Sequence, residues 1–109
     1  MILRLIAGAL VAFGILKLFK PLPTDEEIDE RLKEAVVKHN DRYREHVNPF
    51  VSIVDFMKLL NLDPSFASRK DLWSELGLAG DFTGTAEQNI QLNQELRLQL
   101  KRGDFADRL

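Results

Sequence analysis

Cysteine is absent from this 109-residue chain, which excludes a disulfide framework and any thiolate metal site. Histidine is nearly absent. His39 and His46 are the only two, and on a helix they would lie two turns apart, wider than the i,i+4 pair used by helical metal sites. Asp41 and Glu45 add oxygens nearby without completing a ligand set, so both histidines read as surface or interfacial groups. No stretch alternates apolar and polar residues with period two, so strands are not expected, and no Gly-rich phosphate loop follows one. Without a thiol or a nucleophile–base pair with its orienting partner, catalysis is not expected, and neither cofactor nor metal is implied. Asp55 and Asp71 read as helix-surface carboxylates. Basic excess is missing too: the formal net charge is −2 with 29% charged residues, which excludes a nucleic-acid footprint.

The one long apolar run is at the start, MILRLIAGALVAFGILKLFKPLP. As a helix, Met1 to Phe19 would be about 28 Å long, close to the ~30 Å hydrocarbon core of a bilayer. No small-x-small cleavage site follows it, and Arg4 lies nearly opposite Lys17 and Lys20, so neither a signal peptide nor a surface-lying helix fits as well as a span. The expectation is a single membrane-anchor helix over residues 1–20. Arg4, Lys17 and Lys20 would then sit at the membrane interface, and the balance of basic residues places the soluble part in the cytoplasm. Leu3, Ala7, Leu10 and Gly14 share one stripe, whose small residues would let a partner helix approach. The other reading of the run is a helix buried in protein.

Pro21 and Pro23 end that segment. Thr24 and Glu27 form a capping box, with Asp25 and Glu26 at the positive end of the helix dipole. The helix so opened is expected to run from Asp25 to about His46, as an acidic linker spanning residues 21–47. Its apolar stripe is Ile28, Leu32, Ala35, Val36, Tyr43 and Val47. Glu27–Arg31, Asp29–Lys33 and Glu34–Lys38 are its i,i+4 charge pairs. One apolar stripe on an otherwise charged helix suits docking on the next domain or on a partner.

Residues 48–109 read as a small bundle of three helices. Asn48-Pro49 or Ser52 with Asp55 starts the first, which carries Ile53, Phe56, Met57 and Leu60 and ends near Asn61. Asp63-Pro64 opens the second, with Phe66, Ala67, Leu72, Trp73 and Leu76, and Gly77 stops it. Thr85 and Gln88 cap the third, which holds Ala86, Ile90, Leu92, Leu96 and Leu100 and ends at Gly103. Residues 52–76 also look like a helix–turn–helix, but Arg69 and Lys70 are accompanied by Asp71 and Glu75, so no recognition helix is expected. Trp73 directly follows Leu72, so the two cannot both point into one narrow core. It reads as covering a domain edge or, more sharply, as a surface anchor for a partner.

SIVDFMKLLNLDPSFASRKDLWSELG, from Ser52 to Gly77, resembles the S-I-V-D-L-L-K-L-L run of a bacterial family known as domain of unknown function 3597. The likeness spans Asn48 to Leu100 and implies a small helical domain with no activity to carry over. The chain departs from the family pattern in two places. Pro49 and Phe50 stand where the family has a tryptophan, and Asn89-Ile90-Gln91-Leu92-Asn93 replaces N-I-W-L-H. The loop Gly80 to Glu87 loosely resembles that of helical peptidoglycan-binding domains, a reading that would put the domain outside the cytoplasm.

Together these observations lead to an all-α expectation: a single N-terminal transmembrane helix, a linker helix and a three-helix C-terminal bundle. The expected role is a non-catalytic accessory or structural subunit of a larger membrane complex or phage particle. Its partners would be protein subunits of that assembly and the lipid bilayer, with no nucleic acid. The alternatives are a membrane-tethered peptidoglycan-binding module and a soluble regulatory domain whose N-terminal helix packs back on itself.

Overall fold

The computed structural model describes residues 22–109. Over these the chain forms four α-helices and a final 3₁₀ turn, with no strand: α1 (Asp25–Tyr43), α2 (Ile53–Leu59), α3 (Phe66–Glu75), α4 (Ala86–Lys101) and the turn Ala106–Arg108.

Each helix starts on a hydroxyl cap. At α1 the Thr24 Oγ1 accepts the Glu27 N–H at 3.1 Å and the Glu27 carboxylate accepts the Thr24 N–H at 3.0 Å, which satisfies two donors that a helix start leaves open. Ser52 caps α2 through the Asp55 N–H at 3.2 Å, and the Asp55 carboxylate reaches back to the Asn48 N–H at 3.0 Å. At α3 the cap is Ser65, whose own N–H and hydroxyl donate to the Asp63 carboxylate at 3.0 and 3.1 Å. The Thr85–Gln88 capping box opens α4.

The exits are equally local. Asn61, Gly77 and Gly103 have φ of 57°, 70° and 102°, and the N–H of the following residue returns to a carbonyl five residues back, as in Leu62→Met57 (2.8 Å), Leu78→Trp73 (3.2 Å) and Asp104→Gln99 (2.9 Å). The first helix stops at Tyr43 rather than near His46. Arg44 takes φ 53° as its cap, and the Asn40 side chain accepts the Val47 N–H at 2.9 Å, which turns buried Val47 inward.

α4 packs against α1, α2 and α3, and α1 also packs on α2. Ile28, Leu32, Phe56, Met57, Leu60, Leu92, Leu96 and Leu100 are all but fully buried at this junction. Removing each from water is worth roughly 1.5–3 kcal/mol, far more than any surface pair contributes. Two ion pairs close the α1–α4 seam, Asp25–Lys101 at 2.9 Å and Asp29–Arg97. Being partly exposed, each adds at most about 1 kcal/mol, and their value is in fixing the register. Arg97 also lies 5.1 Å over the Phe50 ring. After α4 the chain folds back: Phe105 is buried at φ 60°, and Arg108 donates to the carbonyls of Leu60 and Asn61 at 3.1 and 3.3 Å, capping the end of α2.

The expected architecture is corrected in two respects. Among the described residues no helix is long and apolar enough to cross a membrane. The span expected over residues 1–20, with its stripe Leu3, Ala7, Leu10 and Gly14 and its interface residues Arg4, Lys17 and Lys20, lies outside the described residues. Nor is there a three-helix bundle carrying a linker. Ile28 and Leu32 of α1 are each 1% exposed, so the acidic helix is a fourth wall of the core. Its acids are used accordingly. Asp29 turns to Arg97 of α4 instead of Lys33, which pairs with Glu30 at 3.3 Å.

Candidate functional site

A groove of ≈ 610 Å³ lies between the C-terminal halves of α1 and α2 and the returning tail. Three segments build it. The α1 helix contributes Ala35, Lys38, His39 and Arg42, spaced so that they face one side. From α2 come Lys58 and Leu59, followed by Leu62. The tail contributes Arg108, held in place by its two carbonyl bonds. Ala35 and Leu59 are buried and form an apolar floor, and the cations stand around it.

The polar wall is a small network. His39 Nε2 lies 2.8 Å from Glu45 Oε1, and Lys58 Nζ lies 3.6 Å from the other oxygen of that carboxylate. The His39 hydrogen bond, helped by the charge of Lys58, holds the Glu45 carboxyl below its ordinary range. The imidazole is largely covered, at 11% side-chain exposure, and the Tyr43 ring packs on it at 4.7 Å between centroids. His39 is thus a wall of the groove. His46 is exposed and is not among the lining residues. No group of three or more His, Cys, Asp or Glu side chains that could hold a metal occurs among the described residues.

Trp73 is not a surface anchor. It is 4% exposed, its Nε1 donates to the Gly80 carbonyl at 2.9 Å, and its ring lies 5.6 Å from that of buried Phe82. The loop after α3 folds Phe82 over the helix, so Leu72 and Trp73 are both covered although they point differently. Adjacency in sequence could not show that second wall. Arg69 is likewise committed inward, to the Asn89 side chain at 2.8 Å and the Pro64 carbonyl at 3.2 Å.

The Gly80–Glu87 loop is organised by Gln88. Its Oε1 accepts the backbone N–H groups of Thr83, Gly84 and Thr85 at 2.9, 3.0 and 3.3 Å, and its Nε2 donates to the Asp81 carbonyl at 2.8 Å. The loop's Gly80 and Gly84 carbonyls are taken by the Trp73 and Asn89 side chains. The two departures from the resembling family also meet in space: the Asn93 side chain, 9% exposed, donates to the Pro49 carbonyl at 2.9 Å beside Phe50. The groove itself escaped the sequence reading because its cations come from three distant segments. The spacing of Lys38 and Arg42, one turn apart, was its only local sign.

A family model described as domain of unknown function (DUF3597) matches residues 19–104. The match reaches beyond the Asn48–Leu100 resemblance and takes in all of α1. No curated protein and no solved structure matches the chain.

Proposed function

Because the chain belongs to the domain of unknown function 3597 family, whose description assigns no activity, we propose from its own geometry that it is a non-catalytic binding module acting through protein partners. The observation that carries this reading is the lining of the large groove. It combines an apolar floor with four cationic side chains, and no serine, threonine or cysteine lines it. Its one imidazole–carboxylate pair, His39 with Glu45, has no serine, threonine or cysteine beside it, and Tyr43 meets the imidazole with the face of its ring, tilted at 46°. Open clefts with apolar floors and charged rims suit recognition. The role is that of an accessory subunit or regulator of a larger assembly.

The test is an affinity isolation of the tagged chain beside its Arg42→Glu variant, with the recovered proteins quantified. A stoichiometric partner kept by the native chain and lost by the variant is expected. Recovery of both chains alone would overturn the reading.

One observation favours a second, regulatory reading in which residues 1–21 cover part of the domain. A smaller cleft of ≈ 240 Å³, lined by Asp25, Ile28, Gln94, Arg97, Leu98 and Lys101, lies at the start of α1, where that apolar segment joins. Leu98 in its lining is 42% exposed, and Leu22, three residues before Asp25 in the chain, is 55% exposed. Deleting residues 1–21 should then speed hydrogen exchange around Leu98, and unchanged exchange would remove this reading.

A further inference from the structure

We propose that the groove between α1, α2 and the tail is the docking site for an acidic amphipathic peptide segment of a partner protein. The occupant would lay an apolar side chain on Ala35, Leu59 and Leu62 and set its carboxylates against Lys38, Arg42 and Lys58. This rests on the reading of the domain as a binding module and names the chemistry of its partner.

Charge complementarity is the main argument. Residues 22–109 hold seventeen acids against twelve lysines and arginines, a formal −5. The groove reverses that sign locally: Lys38, Arg42, Lys58 and Arg108 line it against Glu45 alone, a side-chain total of +3. Glu45 is already occupied by His39 and Lys58, so it does little to repel an incoming carboxylate.

The second argument is which cations are free. Along α1 and α4 three bases are already paired, Lys33 with Glu30, Arg97 with Asp29 and Lys101 with Asp25. Lys38 and Arg42 form no ion pair among the described residues, although Glu34 stands one turn before Lys38. They project side by side from α1 at i,i+4 spacing, the spacing at which a facing helix or strand can present two carboxylates.

The third argument separates a peptide from a free anion. A phosphate or citrate site is a close cage of donors, whereas this groove has a volume of ≈ 610 Å³, is floored by aliphatic side chains and is flanked by Tyr43, which is 54% exposed and braced on His39. An amphipathic aromatic held rigid at a groove edge is what peptide recognition uses. The overall negative charge disfavours a nucleic acid in the same place, since a polyanion would meet repulsion from the rest of the domain.

Fluorescence anisotropy with the full chain tests the proposal, using a labelled sixteen-residue helical peptide of Glu and Leu, its Lys-for-Glu counterpart, inorganic phosphate and citrate. The acidic peptide should bind and should weaken with rising salt. Lys38→Glu and Arg42→Glu should each reduce its affinity about tenfold, as like charges brought face to face do, while Lys70→Glu on the distant α3 leaves it unchanged. Both groove positions are exposed, so melting curves should match the native chain. Amide shifts on titration should cluster at Ala35, Leu59 and Leu62. Tyr43→Ala should weaken the acidic peptide while leaving any phosphate response untouched. Equal binding of the basic peptide, equal loss in Lys70→Glu, or the same amide shifts from phosphate or citrate alone would each overturn the proposal. If isolation with Arg42→Glu keeps a stoichiometric partner, the groove assignment falls. The binding-module reading falls only when no partner is recovered from either chain.

Discussion

Replacing Leu32 with alanine decides whether α1 is a wall of the core. The side chain is 1% exposed in the middle of that helix, and deleting a fully buried leucine side chain costs about 2–5 kcal/mol, the spread reflecting how far the surroundings collapse into the space. A domain the size of residues 22–109 is stable by roughly 4–13 kcal/mol, so the loss is a large part of the whole. At about 4–8 °C per kcal/mol for this size, a loss near ~3 kcal/mol lowers Tm by roughly 12–24 °C. Val37→Ala in the same helix is the matched control: it is 69% exposed, and the change alters helix propensity without opening a cavity. Thermal and urea unfolding followed by circular dichroism should show one cooperative transition in all three proteins, displaced only for Leu32→Ala. A Leu32→Ala midpoint no lower than that of Val37→Ala would refute the four-helix core. So would a separate early melt of α1 with the main transition unmoved.

Gly84 combines φ +78° with only 3.0 Å between a built Cβ and the Phe66 ring, so Gly84→Ala should cost at least about 1 kcal/mol in urea unfolding through strain alone. Asn93→Leu strands the Pro49 carbonyl 2.9 Å away and should destabilise by about 1–3 kcal/mol, read as a lower urea midpoint at constant slope. Gln88→Ala removes four bonds to the 81–85 loop backbone and should raise hydrogen exchange from Thr83 to Thr85 while leaving α2 protected. The Glu45 carboxyl has a lowered folded pKa, so its contribution to stability is present above the ordinary carboxylate range and is lost as pH falls through the folded value. Glu45→Gln should therefore flatten the acid limb of a stability–pH profile, and an unchanged limb would sink that assignment.

What the sequence made legible is what it encodes within a few residues. Thr24 with Glu27, Ser52 with Asp55 and Thr85 with Gln88 are all spaced i,i+3, and all three cap as expected. Gly77 and Gly103 end helices because the left-handed exit favours glycine. The apolar stripe of α1 correctly marked Ile28, Leu32 and Ala35, but not what they face, since that face is supplied by α2 and α4. The Asp29–Lys33 pair failed for the same reason. Asp29 has Lys33 one turn away, yet finds Arg97 more than sixty residues along the chain, and Asp25 likewise reaches Lys101. The stop at Arg44 depended on an Asn40 side-chain bond that no propensity rule covers. Trp73 was misplaced because its cover, Phe82, comes from a loop. The groove is the extreme case, as no single segment contains more than two of its four cations.

The left-handed exits bear on how the chain reaches this fold. Each helix carries its start and its stop in bonds spanning three to seven residues, so each can form, and end at the right residue, before it meets a neighbour. That arrangement lowers the loop-closure entropy standing between the unfolded chain and the transition state and places the domain among fast, microsecond-to-millisecond folders. The distant clamps, Asn93 to Pro49 and Arg108 to Leu60, join residues more than forty positions apart, so removing either is expected to speed unfolding more than it slows folding.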